Sequence, residues 1–206
     1  MKTNTFCIIL CLMLSAEGLQ SQNIFYLQNP SFEADRPSAG RTPTDWINLG
    51  PETESPPDIQ PGAFEAKAKA QDGKMYLGLV VRDNGSWEGV GQRLNGWLRK
   101  DSVYTFSLWL AHSPRYLSLS RMTQKEANYN APTMLKIWGV NNATQQEELL
   151  GETEAVGHSH WLRYVFTLSP KVADFDEINL MAFYAEGSLN TNGNLLIDNC
   201  SPIEKK

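Results

Sequence analysis

Two short segments near opposite ends of the chain place carboxylates among oxygen-rich neighbours. The segment NPSFE ends at Glu33, and the apolar segment NLLIDN near the C-terminus contains Asp198. Two carboxylates brought together in a loop-rich rim repel each other unless a cation lies between them. Calcium suits such a position because it takes about six to eight hard oxygen ligands, backbone carbonyls included. The two segments therefore predict a structural calcium ion where the first and last strands meet.

A second group of side chains is suited to binding a glycan. Sugar rings stack on flat aromatic faces, and a few planar polar groups bond their hydroxyls. The indoles would act as stacking platforms, and an arginine would donate forked hydrogen bonds to hydroxyls or to a sugar acid. An open binding face, aromatic residues packed beneath long loops and a protein-contact surface are all compatible with this pattern. The candidate ligand-binding residues are Trp109, His112, Lys136, Trp138, Arg163 and Phe183.

Patterns that indicate catalysis are weak. His158 and His160 lie on the same side of an extended segment, a spacing that can bind zinc but has no obvious third ligand nearby. The chain has no Gly-x-Ser-x-Gly elbow and no glycine loop of the phosphate-binding kind. Its carboxylate pairs fall mostly in loops, where solvated charge is the ordinary role. We therefore expect that the protein is not an enzyme.

The strands that must position these residues are indicated by alternating apolar and polar residues from residue 74 onward. In the segment VYTFSLWLA, residues 103–111, Trp109 falls on the face opposite the apolar residues, and a slip of one residue would reverse that assignment. Residues 36–62 are predicted to form a long loop with one short strand, and residues 112–131 a polar crossover. Many short strands between turn residues predict an all-β protein, a two-layer antiparallel β-sandwich of the jelly-roll type. The other predicted strands are 64–70, 74–81, 86–94, 133–140, 147–152, 161–168, 177–185 and 194–198.

Length and composition indicate one exported domain. A positive start at Lys2, an apolar run over residues 6–14 and small residues after it predict a signal peptide at residues 1–21. The remaining residues, 22–206, suffice for a single β-sandwich domain with Cys200 as its one cysteine. A net charge of −5 and a pI near 5.2 argue against a nucleic-acid partner. We expect the protein in the periplasm, on the outer-membrane surface or outside the cell, with no transmembrane segment in the mature chain.

Several motifs together resemble those of galactose-binding-like jelly rolls, which include carbohydrate-binding modules appended to bacterial glycanases. These motifs are the NPSFE start, Trp46, the Asp72-Gly73 turn before a strand and the closing LIDN. The middle of the chain, with SPPDIQPG and DGKMYLGLV, resembles secreted, envelope-associated modules of Gram-negative bacteria. The resemblance covers nearly the whole mature chain, and its motifs are more specific for the fold than for a ligand.

The resemblance also implies a metal site and a function. Such modules commonly hold a structural calcium where the first and last strands meet. Glu33 and Asp198 match its side-chain ligands, while Ser31 and the turn at Asp72 would supply carbonyl oxygens. The implied role is recognition of a glycan at or outside the bacterial envelope. The alternative is an accessory subunit of an outer-membrane or secretion complex, which would contact its protein partner through the two long loops.

Overall fold

The chain folds into two antiparallel sheets packed face to face, as the alternation predicts. The computed structural model describes residues 23–206, so the predicted signal peptide lies outside the described residues. The first sheet contains β1 (Ile24–Phe25), β3 (Asp58–Gln60), β4 (Tyr76–Val81), β6 (Tyr104–Ala111), β11 (Leu162–Leu168), β13 (Gly193–Asp198) and β14 (Ile203–Lys205). The second contains β2 (Ile47–Asn48), β5 (Gly89–Leu98), β9 (Thr133–Asn141), β10 (Gln146–Glu152) and β12 (Phe175–Tyr184). A separate hairpin joins β7 (Leu117–Leu119) to β8 (Glu126–Asn128).

The order of strands explains which side chains share a face. The seven-stranded sheet runs β1-β14-β6-β13-β4-β3, with β11 paired along β6, and the five-stranded sheet runs β10-β9-β12-β5-β2. Apolar residues of each strand point to the space between the sheets, where they bury most of the hydrophobic area that stabilises the domain. This main core includes Phe106, Leu108, Ile137, Leu180 and Leu195, all fully buried. The predicted all-β, two-layer sandwich is confirmed.

A second hydrophobic cluster lies on the outer face of the seven-stranded sheet. The segment 112–131, which contains the β7–β8 hairpin, folds over this face and buries Tyr116 and Tyr129 against Tyr76 and Leu196. Phe64 stacks on Tyr116 with ring centroids 5.4 Å apart. This half of the sandwich therefore has its outer aromatic residues packed beneath a long loop, whereas the five-stranded sheet has no such cover among the described residues.

Two predicted elements differ from the structure. Residues 64–70 were expected to form a strand, but Ala63–Glu65 is a 3₁₀ turn and the rest of the segment pairs with no strand. The alternation there is real, since Ala66 is buried and Lys67 exposed, but it arises because the segment lies across the second cluster. The loop 36–62 contains two short strands, β2 and β3, instead of one.

The two ends of the domain meet. β1 pairs with β14, and the Cys200 amide donates to the Pro30 carbonyl at 3.0 Å. Cys200 is a free, buried thiol in the main core, and burial raises its pKa far above the usual value. No helix within residues 23–206 is both long and apolar enough to cross a membrane.

Candidate functional site

An open groove crosses the outer face of the five-stranded sheet. We call it the β5 groove, because its lining residues Asn179 and Met181 pair with Gly91 and Gly89 of β5. It encloses about 310 Å³. The groove is lined by Leu49, Trp87, Trp138, Glu147, Asn179 and Met181.

Two glycines of β5 lie beneath the side chains that line this groove. Gly89 and Gly91 alternate with the core residue Val90, so both face outward, and Gly91 lies opposite Asn179 in the register. A Cβ atom at position 91 would lie 2.3 Å from the side-chain amide of Asn179 and 3.2 Å from a methyl of Leu49. A larger residue at position 91 would therefore displace the Asn179 and Leu49 side chains that line the groove, and glycine there lets them lie close to the backbone.

The polar atoms of the groove include an unpaired donor. The Nε1 atom of Trp138 is buried, yet none of the residues in 23–206 accepts its hydrogen bond. An unpartnered buried donor is costly, and a ligand oxygen would satisfy it. The Asn179 amide is oriented so that its nitrogen donates to Glu177 Oε1 at 2.9 Å and to the Ile178 carbonyl at 3.1 Å. The groove is thus lined by two indoles, one of which carries a buried, unpaired N–H, and by the exposed carboxylate of Glu147.

Three of the six predicted ligand-binding residues lie on the outer face of the five-stranded sheet. Trp138 pairs with Asn179, and Lys136 pairs with Met181 in the adjoining row. The Lys136 ammonium lies 3.9 Å from the centroid of the Phe183 ring and 3.9 Å from Glu152 Oε2. One face of Phe183 is therefore covered by a cation, and Trp138 is the member of this group that reaches the β5 groove.

The other three predicted residues lie on the seven-stranded sheet. Trp109 and Arg163 are opposite each other on β6 and β11, and the Arg163 guanidinium donates to Ser107 Oγ at 3.0 Å. His112 follows β6 and is buried. The six residues consequently do not share one face, because alternation shows which side of a strand faces outward but not which sheet the strand joins.

Several groove residues were not predicted. Leu49, Trp87 and Glu147 come from three separate segments that meet only through the sheet order. Asn179 and Met181 lie on the outer face of the strand predicted at residues 177–185, and neither was a candidate binding residue. The signal that could have located the groove is the Gly89-x-Gly91 pattern, because glycines at alternate positions let side chains of neighbouring segments lie close over one face of a strand.

The predicted calcium ligands gather at one corner of the sandwich around the turn at residues 71–75. Asp198 Oδ2 accepts the amides of Gln71 and Asp72, at 2.7 and 3.0 Å. Ser31 Oγ donates to Asp72 Oδ2 at 2.7 Å. Glu33 Oε1 accepts the amides of residues 74 and 75, both at 2.8 Å. A Cβ at position 73 would collide with the Glu33 carboxylate, so Gly73, at φ 61°, allows the turn to fold around it.

The chemistry of this corner suits a hard cation. Burial, with a smaller contribution from Asp72, raises the pKa of Asp198 to about 6. None of the salt bridges among residues 23–206 involves Glu33, Asp72 or Asp198, so their charges lack a cationic partner of that kind. No three acidic, histidine or cysteine side chains of the described residues are grouped closely enough to hold a metal. Calcium would therefore need backbone carbonyls as well, and the metal stays a prediction.

Comparison with known proteins identifies the architecture. No protein-family model matches the sequence, and no curated protein does so either. A cyclase from Fischerella sp. TAU superposes with a TM-score of 0.57 at 11% identity, over 89% of this chain and 96% of that one. Another structure of a cyclase from Fischerella sp. TAU, in complex with 4-(1H-indol-3-yl)butan-2-one, gives 0.56 at 12%, over 90% and 98%. The CBM22-1 xylan-binding domain of Xyn10C from Paenibacillus barcinonensis gives 0.50 at 15%, over 90% and 97%.

These similarities correct one expectation from the sequence. We expected that the protein is not an enzyme, and the similarity to the Fischerella cyclases contradicts that expectation, because the same fold carries catalytic proteins over nearly its whole length. Identities of 11 to 15% show a common fold and assign no activity to this chain. The chain is a jelly-roll β-sandwich with the fold of the carbohydrate-binding modules, which the cyclases share.

Proposed function

We propose that the protein binds a glycan in the β5 groove. The observation that carries the proposal is Trp138, whose indole lines the groove while its buried N–H has no acceptor. A sugar ring stacked on an indole places ring oxygens and hydroxyls at the edge of the aromatic system, where they accept such hydrogen bonds. The similarity of the fold to a xylan-binding domain supports the same assignment.

The shape of the groove favours a chain over a compact ligand. It is open on the outer face of the sheet, and its volume of about 310 Å³ lies near the lower end of the range for small-molecule sites. The side chains of Asn179 and Met181, which lie over Gly91 and Gly89 of β5, form part of the surface that a polysaccharide would contact. Glu147 and Asn179 add polar groups that select among hydroxyl arrangements. The glycan is one met at or outside the bacterial envelope, in keeping with the predicted signal peptide.

The test compares two tryptophans on opposite faces of the sandwich. The purified protein is screened on a glycan array, and the affinity for any retained glycan is then measured by calorimetry. Trp138→Ala is expected to weaken binding at least about tenfold, which corresponds to about 1.4 kcal/mol. Trp109→Ala is the matched control, because Trp109 lies on the seven-stranded sheet and is expected to leave the affinity unchanged. Equal losses in both variants, or none in either, would contradict the proposal.

A second candidate function is contact with a protein partner in an envelope complex. It is favoured by the β7–β8 hairpin, where Leu119 and Met122 are 50% and 69% exposed. Much of the surrounding segment is already used to cover the seven-stranded sheet, which leaves only this tip for a partner. This function would be favoured over the first if the protein retains an envelope protein but no glycan, and if the Met122→Ser variant no longer retains that envelope protein.

A further inference from the structure

A separate cavity lies beside the seven-stranded sheet, where the chain leaves β6. We call it the His112 cavity. It encloses about 280 Å³, enough for a single sugar ring, and it shares no lining residue with the β5 groove. Beyond Ala68 and Pro114, its lining consists of Glu65, Lys67, His112, Ser113, Arg115 and Ser159.

His112 lines this cavity and carries an unpaired ring nitrogen. The residue is 6% exposed, and its Nε2 atom is buried with no hydrogen-bond partner among the described residues. The ring also hydrogen-bonds the Asn130 carbonyl, which by elimination involves Nδ1 and makes Nδ1 the protonated nitrogen. Burial lowers the pKa of His112, so the ring is neutral at pH 7 and Nε2 presents a lone pair. A ligand would satisfy this atom by donating a hydrogen bond to it.

The wall next to His112 is held in place by the sheet. The Ser113 amide donates to Asn194 Oδ1 at 2.8 Å, and the Asn194 amide nitrogen donates back to the Ser113 carbonyl at 2.8 Å. Ser113 Oγ in turn donates to the Arg115 carbonyl at 2.7 Å. This part of the cavity is preformed, so a ligand would lose little affinity to ordering it.

The charges around the cavity leave one cation available. The Arg115 guanidinium is paired with the Glu65 carboxylate, which offsets its charge. Lys67 is exposed, and the salt bridges among residues 23–206 do not include it. With His112 neutral, the side chains that line the cavity carry two positive charges and one negative charge, and the next carboxylate, Glu126, acts on Arg115 from outside the lining. The field at this point favours an anionic ligand.

We infer that the His112 cavity binds one residue of an acidic sugar, of the uronic-acid class. Its carboxylate would pair with Lys67, and one of its hydroxyls would donate to His112 Nε2. An inorganic anion without a proton to donate would leave Nε2 unpaired, and a neutral sugar would leave the lysine unpaired. This site lies on the other sheet from the β5 groove, so its occupancy and the glycan binding proposed there can fail separately.

The first experiment uses three probes on the purified protein: methyl glucuronide, methyl glucoside and sodium sulfate. Calorimetry is combined with the ¹⁵N resonance of His112 Nε2, which changes when that nitrogen accepts a hydrogen bond. The glucuronide is expected to bind and move the resonance, with the glucoside weaker by at least about fivefold. Sulfate is expected to leave the resonance unchanged. No binding of the glucuronide, or equal binding of both sugars, would overturn the inference, as would a resonance that sulfate moves equally.

Variants then locate the ligand. Lys67→Gln is expected to weaken glucuronide binding at least about fivefold, while Lys69→Gln, an exposed lysine two residues away that does not line the cavity, leaves it unchanged. His112→Asn retains a donor for the Asn130 carbonyl but loses Nε2, and should also weaken binding. If that variant unfolds, the lysine pair and the wild-type resonance still decide the question. Glucuronide binding that is abolished by Trp138→Ala would place the ligand in the β5 groove and overturn the inference.

Discussion

Arg82 shows how a charged side chain is accommodated beneath a loop. It is 1% exposed under the β7–β8 hairpin, where it forms a short ion pair with Glu88, itself buried. Its guanidinium also donates to Ser55 Oγ at 2.9 Å, and its Nε lies 3.6 Å from Glu54 Oε2. An ion pair that is removed from water adds little net stability, but the loss of one partner leaves the other charge buried and uncompensated.

We therefore expect Arg82→Met to lower the free energy of unfolding by about 3–5 kcal/mol. The matched control is Arg99→Met, because Arg99 pairs with Asp174 at 2.8 Å on the exposed surface, where such pairs contribute about 0–1 kcal/mol. Urea denaturation monitored by tryptophan fluorescence measures both. Similar losses in the two variants would show that burial of the Arg82 pair has no special effect.

Asp83, which follows β4, links the β7–β8 hairpin to the seven-stranded sheet through hydrogen bonds. Its carboxylate accepts hydrogen bonds from Ser120 Oγ at 2.5 Å, Asn192 Nδ2 at 3.0 Å and the Arg121 amide at 3.0 Å. Burial alone would raise the pKa of Asp83, but these hydrogen bonds outweigh it and hold the pKa below its usual 3.8. A carboxyl whose pKa is lowered by folding stabilises the folded state above its unfolded pKa, and this stability is lost as the pH falls through the folded value.

Asp83→Asn is accordingly expected to cost about 1–2 kcal/mol at pH 7 and much less in strongly acidic solution. Unfolding measured at a series of pH values from 7 down to the acid limit of the fold would show the two proteins converging at low pH. A constant difference between wild type and variant across this range would contradict the pKa assignment.

The residue types that could bind a ligand were predictable, whereas their partners were not. Trp138 was predicted as a stacking platform and does line the β5 groove. Phe183 and Lys136 were predicted alongside it, but the two side chains contact each other in a cation–π interaction. Such pairing depends on residues of two neighbouring strands that are far apart in the sequence, information that alternation within one strand does not contain.

At the scale of elements, β5 shapes the groove because Gly89 and Gly91 have no side chains. Gly91→Ala would place a methyl group against the amide of Asn179 and a methyl of Leu49, and because both are ends of flexible side chains the fold should tolerate it. We expect glycan affinity to fall at least about fivefold while the melting temperature changes little. Gly157→Ala is the control, because its Cβ would meet only Pro132, at 3.3 Å, outside the groove. Unchanged affinity in Gly91→Ala would mean that the ligand does not reach β5.

Strands were predictable wherever a segment of alternating apolar and polar residues also pairs with a neighbouring strand. Residues 133–140 and 161–168 were predicted within one residue of β9 and β11. Residues 64–70 alternate equally well, yet their small side chains pack on a sheet face without joining its edge. β3 was hard to identify for the opposite reason, since both of its faces are buried and its polar residues Asp58 and Gln60 lie under the hairpin. Hydrophobic periodicity indicates which side chains are buried, but a strand also needs a neighbouring strand with which its backbone can pair.

The whole molecule has two unlike outer faces. The seven-stranded sheet is covered by residues 112–131, and the five-stranded sheet has an open groove. The sequence is compatible with a covered face or an open face as alternatives for one surface, but the sandwich contains both. This outcome follows from strand order, which is set by contacts between residues distant in the chain.

The corner that joins the chain ends provides a further test of the whole fold. If calcium binds at Glu33, Asp72 and Asp198, saturation at 100 times the dissociation constant adds about 2.7 kcal/mol, or about 5–10 °C in melting temperature. Calorimetry with calcium or with chelator measures this shift. Asp198→Asn is expected to abolish it, and Asp35→Asn, an exposed acid two residues from Glu33, should retain it. A melting temperature that is indifferent to calcium would leave the corner as a hydrogen-bonded turn without metal.

Cys200 is a natural probe of how often the folded domain opens. The thiol is buried in the main core, and it is the one cysteine within residues 23–206. An alkylating reagent can reach it only while the sandwich is open, so the labelling rate at high reagent concentration measures how often the native state opens. This labelling experiment requires no probe to be introduced into the protein, and it would measure the effects of calcium and of each core variant on the lifetime of the native state.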